Sequence, residues 1–145
     1  MKEALEIILQ IILAAVLGGL LGLEREFGKK EAGLRTYMLV CIASCLFTIL
    51  AFLAPNIFKE CRMNMDPLRV IQAVAIGIGF IGSGVIIFRK DHVEGLTTAA
   101  GLWLVAAIGV AIGLKMYSLA VFATSLGLLI LAGVLLIEKR ILRKE

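Results

Sequence analysis

Residues 66–117 read DPLRVIQAVAIGIGFIGSGVIIFRKDHVEGLTTAAGLWLVAAIGVAIGLKMY. Two apolar runs, each long enough to cross a bilayer, are joined here by a short charged turn, with most of the chain's glycines at helical spacings. Working outward, the rest of the chain repeats that pattern. Hydrophobic residues make up 61% of it and its mean hydropathy is +1.02, which leaves too little polar surface to cover a soluble globule. An integral membrane protein is expected: an all-α, polytopic helical bundle, with residues 1–145 forming a single domain. Cys41 and Cys45 lie in an apolar run and Cys61 lacks a partner on its side, so no structural disulfide is expected. Glu3 and Glu6 spoil a basic leader, so the first segment is expected to be retained.

Uncharged runs bracketed by charges give five spans at roughly 20 residues per crossing: Ala4 to Leu23, Leu34 to Phe58, Leu68 to Phe88, Gly95 to Leu114 and Met116 to Ile137. Basic residues orient them, because basic loops stay in the cytoplasm. Arg25, Lys29, Lys30, Arg35, Arg89, Lys90, Lys139, Arg140, Arg143 and Lys144 share one side, whereas Lys2, Lys59, Arg62, Arg69 and Lys115 share the other. The N-terminus is therefore expected outside and the C-terminus in the cytoplasm. The net charge of +4 reads as a topology signal with attraction to anionic lipid, not as nucleic-acid binding.

Sliding the chain by 62 positions lays Gly22 on Gly84, Gly33 on Gly95, Leu34 on Leu96 and Thr36 on Thr98. Both units run out, in, out, as in a parallel repeat about the membrane normal; chance similarity of two glycine-rich hairpins is the alternative. In the first hairpin, Gly18 and Gly22 stand four apart, a spacing that lets two helix backbones approach closely in lipid. Glu24, Arg25 and Glu26 follow with no polar spacer. A charge drawn to the bilayer centre costs about 2.5 to 3.5 kcal/mol on insertion scales, so partners are expected. Arg35 is the natural counter-ion for Glu24 or Glu26, with Thr36 as a cap or donor, and an ordinary interfacial charge belt is the plainer reading.

Gly77-Ile-Gly-Phe-Ile-Gly matches a dinucleotide fingerprint in form only, since it lies inside an apolar run with no strand before it. It reads as packing. Gly77, Gly79, Gly82 and Gly84 cover more than one helix face, so the third helix is expected to be central and touched on two sides. The second turn carries Asp91 and Glu94 with His92, to which no role is assigned, and Thr97 and Thr98 open the fourth helix. Trp103 is expected in a glycine groove, its indole N–H finding a partner.

No span has an acid, base or histidine near its middle, and no nucleophile and base pair or metal-ligand cluster is visible, so no enzyme is expected. No bound cofactor is expected either, and any metal site is left unassigned. Magnesium, as ligand or substrate, would meet carboxylates only at the cytoplasmic mouth, at Glu24, Glu26, Glu31, Asp91 and Glu94.

Gly22-Leu-Glu-Arg-Glu, Gly33-Leu-Arg-Thr, Asp66-Pro-Leu-Arg-Val, Gly77-Ile-Gly-Phe-Ile-Gly-Ser-Gly and Gly95-Leu-Thr-Thr-Ala-Ala-Gly-Leu-Trp together resemble the signature blocks of the MgtC/SapB family, in unbroken order from Ala15 to Tyr117. The resemblance implies a bacterial inner-membrane protein linked to growth in low magnesium and, in pathogens, to survival inside host cells. It also implies either magnesium transport or restraint of a membrane partner such as the F-type ATP synthase. Glu24, Arg25, Glu26, Arg35, Thr36, Asp66, Arg69, Thr97, Thr98 and Trp103 match motif positions. Tyr37 stands where the pattern implies histidine, Ser83 where it implies alanine and Gly101 where it implies serine. Many members carry a soluble cytoplasmic domain after the last span; this sequence ends at Glu145, and that domain's functions are expected to be absent.

Two readings follow. One is a non-transporting regulator that binds a membrane partner or a second copy. The other is a magnesium or other cation transporter or channel with Glu24 and Glu26 at its mouth. A homodimer through the Gly18 to Gly22 face or the Gly77 to Gly84 face fits either.

Overall fold

The computed structural model describes residues 2–57, 66, 68–88 and 92–133. The expectations resting on Cys61, on Lys59 and Arg62, on Arg89 to Asp91 and on the tail beyond Gly133 lie outside the described residues. Five helices follow one another: α1 (Lys2–Phe27), α2 (Leu34–Ile57), α3 (Leu68–Val85), α4 (Leu96–Gly113) and α5 (Tyr117–Leu128), the last running into a π-helical turn at Leu129–Gly133. The first four are long and apolar enough to cross a membrane, and Tyr117–Gly133 is a shorter apolar helix. The all-helical class and four of the five expected spans therefore stand, the third ending at Val85 and not at Phe88. The fifth, expected over Met116 to Ile137, is met by the shorter helix, and its residues beyond Gly133 lie outside the described residues. One short feature was not expected: Ile87–Phe88 pairs antiparallel with Val93–Glu94, closing the α3–α4 connection as a two-residue ladder.

Local chemistry sets the ends. After α1, Lys30 N–H donates to the Arg25 carbonyl and Lys29 N–H to that of Glu26, with Lys29 at a left-handed φ of 51°. After α4, Met116 donates to Ala111 and Lys115 to Ile112, with Lys115 at φ 61°. Both are Schellman stops, and in both a lysine holds the left-handed position that glycine would hold at less cost. At the start of α3, Asp66 accepts from Leu68 N–H through Oδ1 at 3.0 Å and caps the helix.

The hairpins place the start of α1 with the ends of α2 and α4, here called the proximal end; the α1–α2 and α3–α4 connections lie at the distal end. The core forms where α1, α2 and α4 meet, around Ala14, Leu21, Cys41, Cys45, Leu102, Val105 and Ile112. Small residues bring these three backbones together. A Cβ on Gly18 would stand 2.7 Å from that of Cys41, and one on Gly22 2.7 Å from Leu34 Cα. On α4, Gly109 lies against the Cys41 carbonyl, and a Cβ on Gly113 would come 2.6 Å from Thr48 Cβ. Cys41 and Cys45 are buried free thiols.

The expectation that α3 is central is corrected. Half of the apolar window of α4 is buried inside the bundle, against 11% of that of α3. Gly82 alone among the α3 glycines has a neighbour, Ala99 of α4, while Gly77, Gly79 and Gly84 have none within 4 Å of an added Cβ. Glycines make close approach possible, but the approach also needs a helix on the other side. The Gly18 to Gly22 face is buried as expected, against α2 of the same chain. Trp103 is corrected too: it is 57% exposed, beside α3 residues Ile71, Val74 and Ile78, and its indole N–H has no partner among the described residues.

Candidate functional site

Of the charged residues expected at the distal end, Glu24, Arg25, Glu26 and Glu31 are engaged there, through partners that differ from those expected. Gln10, Ala14, Leu17, Gly18, Leu21, Gly22 and Arg25 form the buried stripe of α1, so Arg25 points inward and is only 1% exposed. Burying an arginine costs several kcal/mol unless it is paired. Its Nε is ion-paired with the carboxylate of Glu24, whose side chain is 17% exposed. Its Nη2 donates to the Leu131 carbonyl at 3.5 Å. That carbonyl belongs to the π turn, whose wider winding sets its carbonyls off the regular ladder. The arginine thus ties the end of α1 to the end of α5.

Glu26 turns the other way. Its Oε2 accepts from Leu34 N–H at 3.0 Å, so a residue eight positions earlier caps α2. Gly33 leaves room for this carboxylate, which a side chain there would strike. Arg35, expected as counter-ion, is exposed and pairs with neither Glu24 nor Glu26; Thr36 is half-buried and is not the cap.

A second tie joins the hairpins. Thr98, buried in the first turn of α4, donates through Oγ1 to Glu31 Oε2 at 2.7 Å, while the Tyr37 hydroxyl donates to the Thr98 carbonyl at 3.2 Å. The Thr98 hydroxyl holds the Glu31 carboxyl below the usual carboxylate range. Thr97 is exposed. Glu94 meets His92 Nε2 at 3.0 Å, and Asp91 lies outside the described residues. Gly95 has φ 84° and faces the Val85 carbonyl, so the α3–α4 turn requires glycine there.

Tyr37 and Gly101, where the resemblance implies histidine and serine, prove to be neighbours. A Cβ on Gly101 would collide with the Tyr37 hydroxyl. The tyrosine ring occupies the space that glycine vacates, so a larger residue on α2 is matched by a smaller one on α4.

The proximal end holds ties that sequence reasoning missed. Gln10, 2% exposed, donates from Nε2 to the Ile112 carbonyl at 2.7 Å and to that of Gly113 at 3.4 Å, capping the last turn of α4. Its place on the glycine stripe of α1 was the available signal. Lys115 Nζ meets Glu6 Oε1 at 2.8 Å, which raises the lysine's pKa. Asp66 and Arg69 are exposed at this end, Asp66 engaged as the α3 cap. Among the described residues no three histidine, cysteine or acidic side chains gather as metal ligands.

With this geometry in hand, comparison with known proteins is direct. A family model described as "MgtC family" matches residues 11–140. "Putative magnesium transporter YhiD" of Escherichia coli (strain K12) is 41% identical over 127 residues, covering 87% of this chain and 59% of that protein. "Protein SapB" of Bacillus subtilis is 41% identical over 127 residues, 86% of this chain and 54% of its own length. "Protein MgtC" of Brucella abortus (strain 2308) is 40% identical over 111 residues, 77% and 44% respectively. This chain thus spans between 44% and 59% of the lengths of these three relatives. No solved structure matches. The family match over nearly the whole chain, with four helices able to cross a membrane, makes this a multi-pass membrane protein belonging to the MgtC family.

Proposed function

We propose that this protein is a regulator in magnesium homeostasis, active in adaptation to low magnesium, and that it acts by contact with another membrane protein in the bacterial inner membrane rather than by carrying ions. The link to magnesium comes from the printed name of the E. coli relative. One observation supports the regulatory reading above the rest: the distal carboxylates serve as ties of the chain to itself. Glu24 balances Arg25, Glu26 caps α2 and Glu31 accepts from Thr98. A carboxylate that holds helix ends together is poorly placed to release and recapture a passing cation. The exposed flank of α3, with Ile76, Gly79 and Phe80, offers a partner or a second copy an apolar surface. The F-type ATP synthase, implied by the family resemblance, is one such partner.

The transporter reading has its own support. At the proximal end a cavity of about 640 Å³ is lined by Glu3, Glu6, Gln10 and Lys115, among others, and could admit a cation. Magnesium flux into sealed liposomes containing the folded protein, read with an internal dye, separates the two. Flux equal to that of empty liposomes is expected. Flux above that level which falls in Glu24→Gln or Glu6→Gln would establish transport and overturn the regulatory reading.

A further inference from the structure

α3 leans on α4 and stands away from α2, leaving a groove of about 650 Å³ between α2 and α3. Ala43 and Phe47 on one wall face Ala73 and Gly77 on the other, and the lining is apolar apart from Ser44 and Arg69. An added Cβ on Gly77 would meet nothing within 4 Å, so no described residue fills the space beside it. Arg69, in the first turn of α3, sits at the proximal mouth, where the headgroup layer lies when these helices span a bilayer. Its guanidinium makes no side-chain hydrogen bond or ion pair among the described residues.

An arginine with no partner among the described residues, set above an apolar channel, has the polarity of a phospholipid. We propose that the groove holds a single phospholipid, with one acyl chain between α2 and α3 and its phosphate on Arg69. Arginine's planar fork matches phosphate oxygens two at a time. Size decides against a helix as occupant. A helix with its side chains is about 10 to 12 Å across, whereas a groove of about 650 Å³ falls among small-molecule pockets, which run from about 300 to 1,000 Å³. The α2–α3 pair is thereby closed by lipid where the α1–α2 and α2–α4 pairs are closed by glycine against the facing helix. This inference is independent of whether the protein regulates or transports.

Native mass spectrometry of the full chain in mild detergent tests it. After delipidation and addition of phosphatidylglycerol, the protein is expected to keep one lipid per chain. Arg69→Gln, an exposed change that leaves helix packing untouched, and Gly77→Trp, which fills the groove, are each expected to lower retention at least tenfold. Phe80→Trp, on the outward flank, is expected to keep it. A wild-type chain that retains no lipid, or an Arg69→Gln chain that retains it fully, would overturn the proposal. Crosslinking of Ala73→Cys to a second copy, above the background of the native cysteines, would place a helix in the groove and overturn it as well.

Discussion

The glycines of α4 and those of α3 look alike in sequence and do opposite things in space. Gly109 and Gly113 lie against α2, with backbone or Cβ atoms where their own side chains would be. Gly77, Gly79 and Gly84 lie against none of the described residues. The contrast teaches that glycine spacing records permission for contact; burial is decided by which helix is delivered to that face. α4 is delivered to α2 by the Tyr37–Thr98 bond at one end and held to α1 by Gln10 at the other. α3 meets α4 through Gly82 against Ala99 and through the buried Ile78, and stands away from α2.

The sharpest way to break the comparison is to add the same side chain to both. Gly109→Leu drives carbons into the Cys41 backbone, which cannot yield as a side chain can, and exceeds the usual overpacking cost of about 1 to 3 kcal/mol. We expect no folded protein by size-exclusion chromatography. Gly79→Leu meets open space and gains helix propensity of up to about 1 kcal/mol, so its thermal midpoint should hold or rise. Equal damage from the two would mean that α3 is packed in the membrane in a way this chain alone does not show.

Next in size is Arg25→Met. Removing one member of a buried pair costs about 3 to 5 kcal/mol, and the partial exposure of Glu24 lowers the expected loss to about 2 to 3 kcal/mol. Adding Glu24→Gln should restore part of it in denaturant titration, since the charge left behind is the main penalty. Gly101→Ser is expected to cost about 1 to 2 kcal/mol by striking the Tyr37 ring. Tyr37→His in the same chain should recover more than half, giving a coupling of about 1 kcal/mol in a double-mutant cycle.

Smallest is Thr98→Val, which keeps the shape and the backbone carbonyl used by Tyr37 but removes the hydroxyl from Glu31. Because Glu31 is depressed in the folded protein, the stability it contributes is present above its unfolded pKa and is lost as pH falls through the folded value. The variant should therefore be less stable at neutral pH, by at most about 1 kcal/mol, and converge with the wild type in acid. Thermal unfolding in detergent from neutral pH down to about pH 3 reads this directly.

The architecture was legible because lipid imposes long uncharged runs, and Leu34 and Leu96 do open helices 62 positions apart as the internal match implies. The stretch around the α1–α2 turn was legible in composition and not in pairing. Arg25 and Arg35 carry the same charge near the same acids, and only the helical phase of Arg25 with Gly18 and Gly22 separates the buried one from the exposed one. The partner of Arg25, a backbone carbonyl 106 residues away, has no side-chain signature. Nor does the Glu26 cap, since capping is read from residues beside a helix and this carboxylate arrives from the helix before.

The Arg25 to Leu131 bond also joins two residues 106 positions apart. A chain made from its N-terminus can close α1 on α2 and dock α4 through Gln10 before α5 exists. Throughout that interval the guanidinium has Glu24 for company and is still short of the carbonyl that finishes its shell. The arginine is satisfied only when residue 131 arrives. A chain cut short inside α5 would therefore carry an incompletely bonded cation at its distal end.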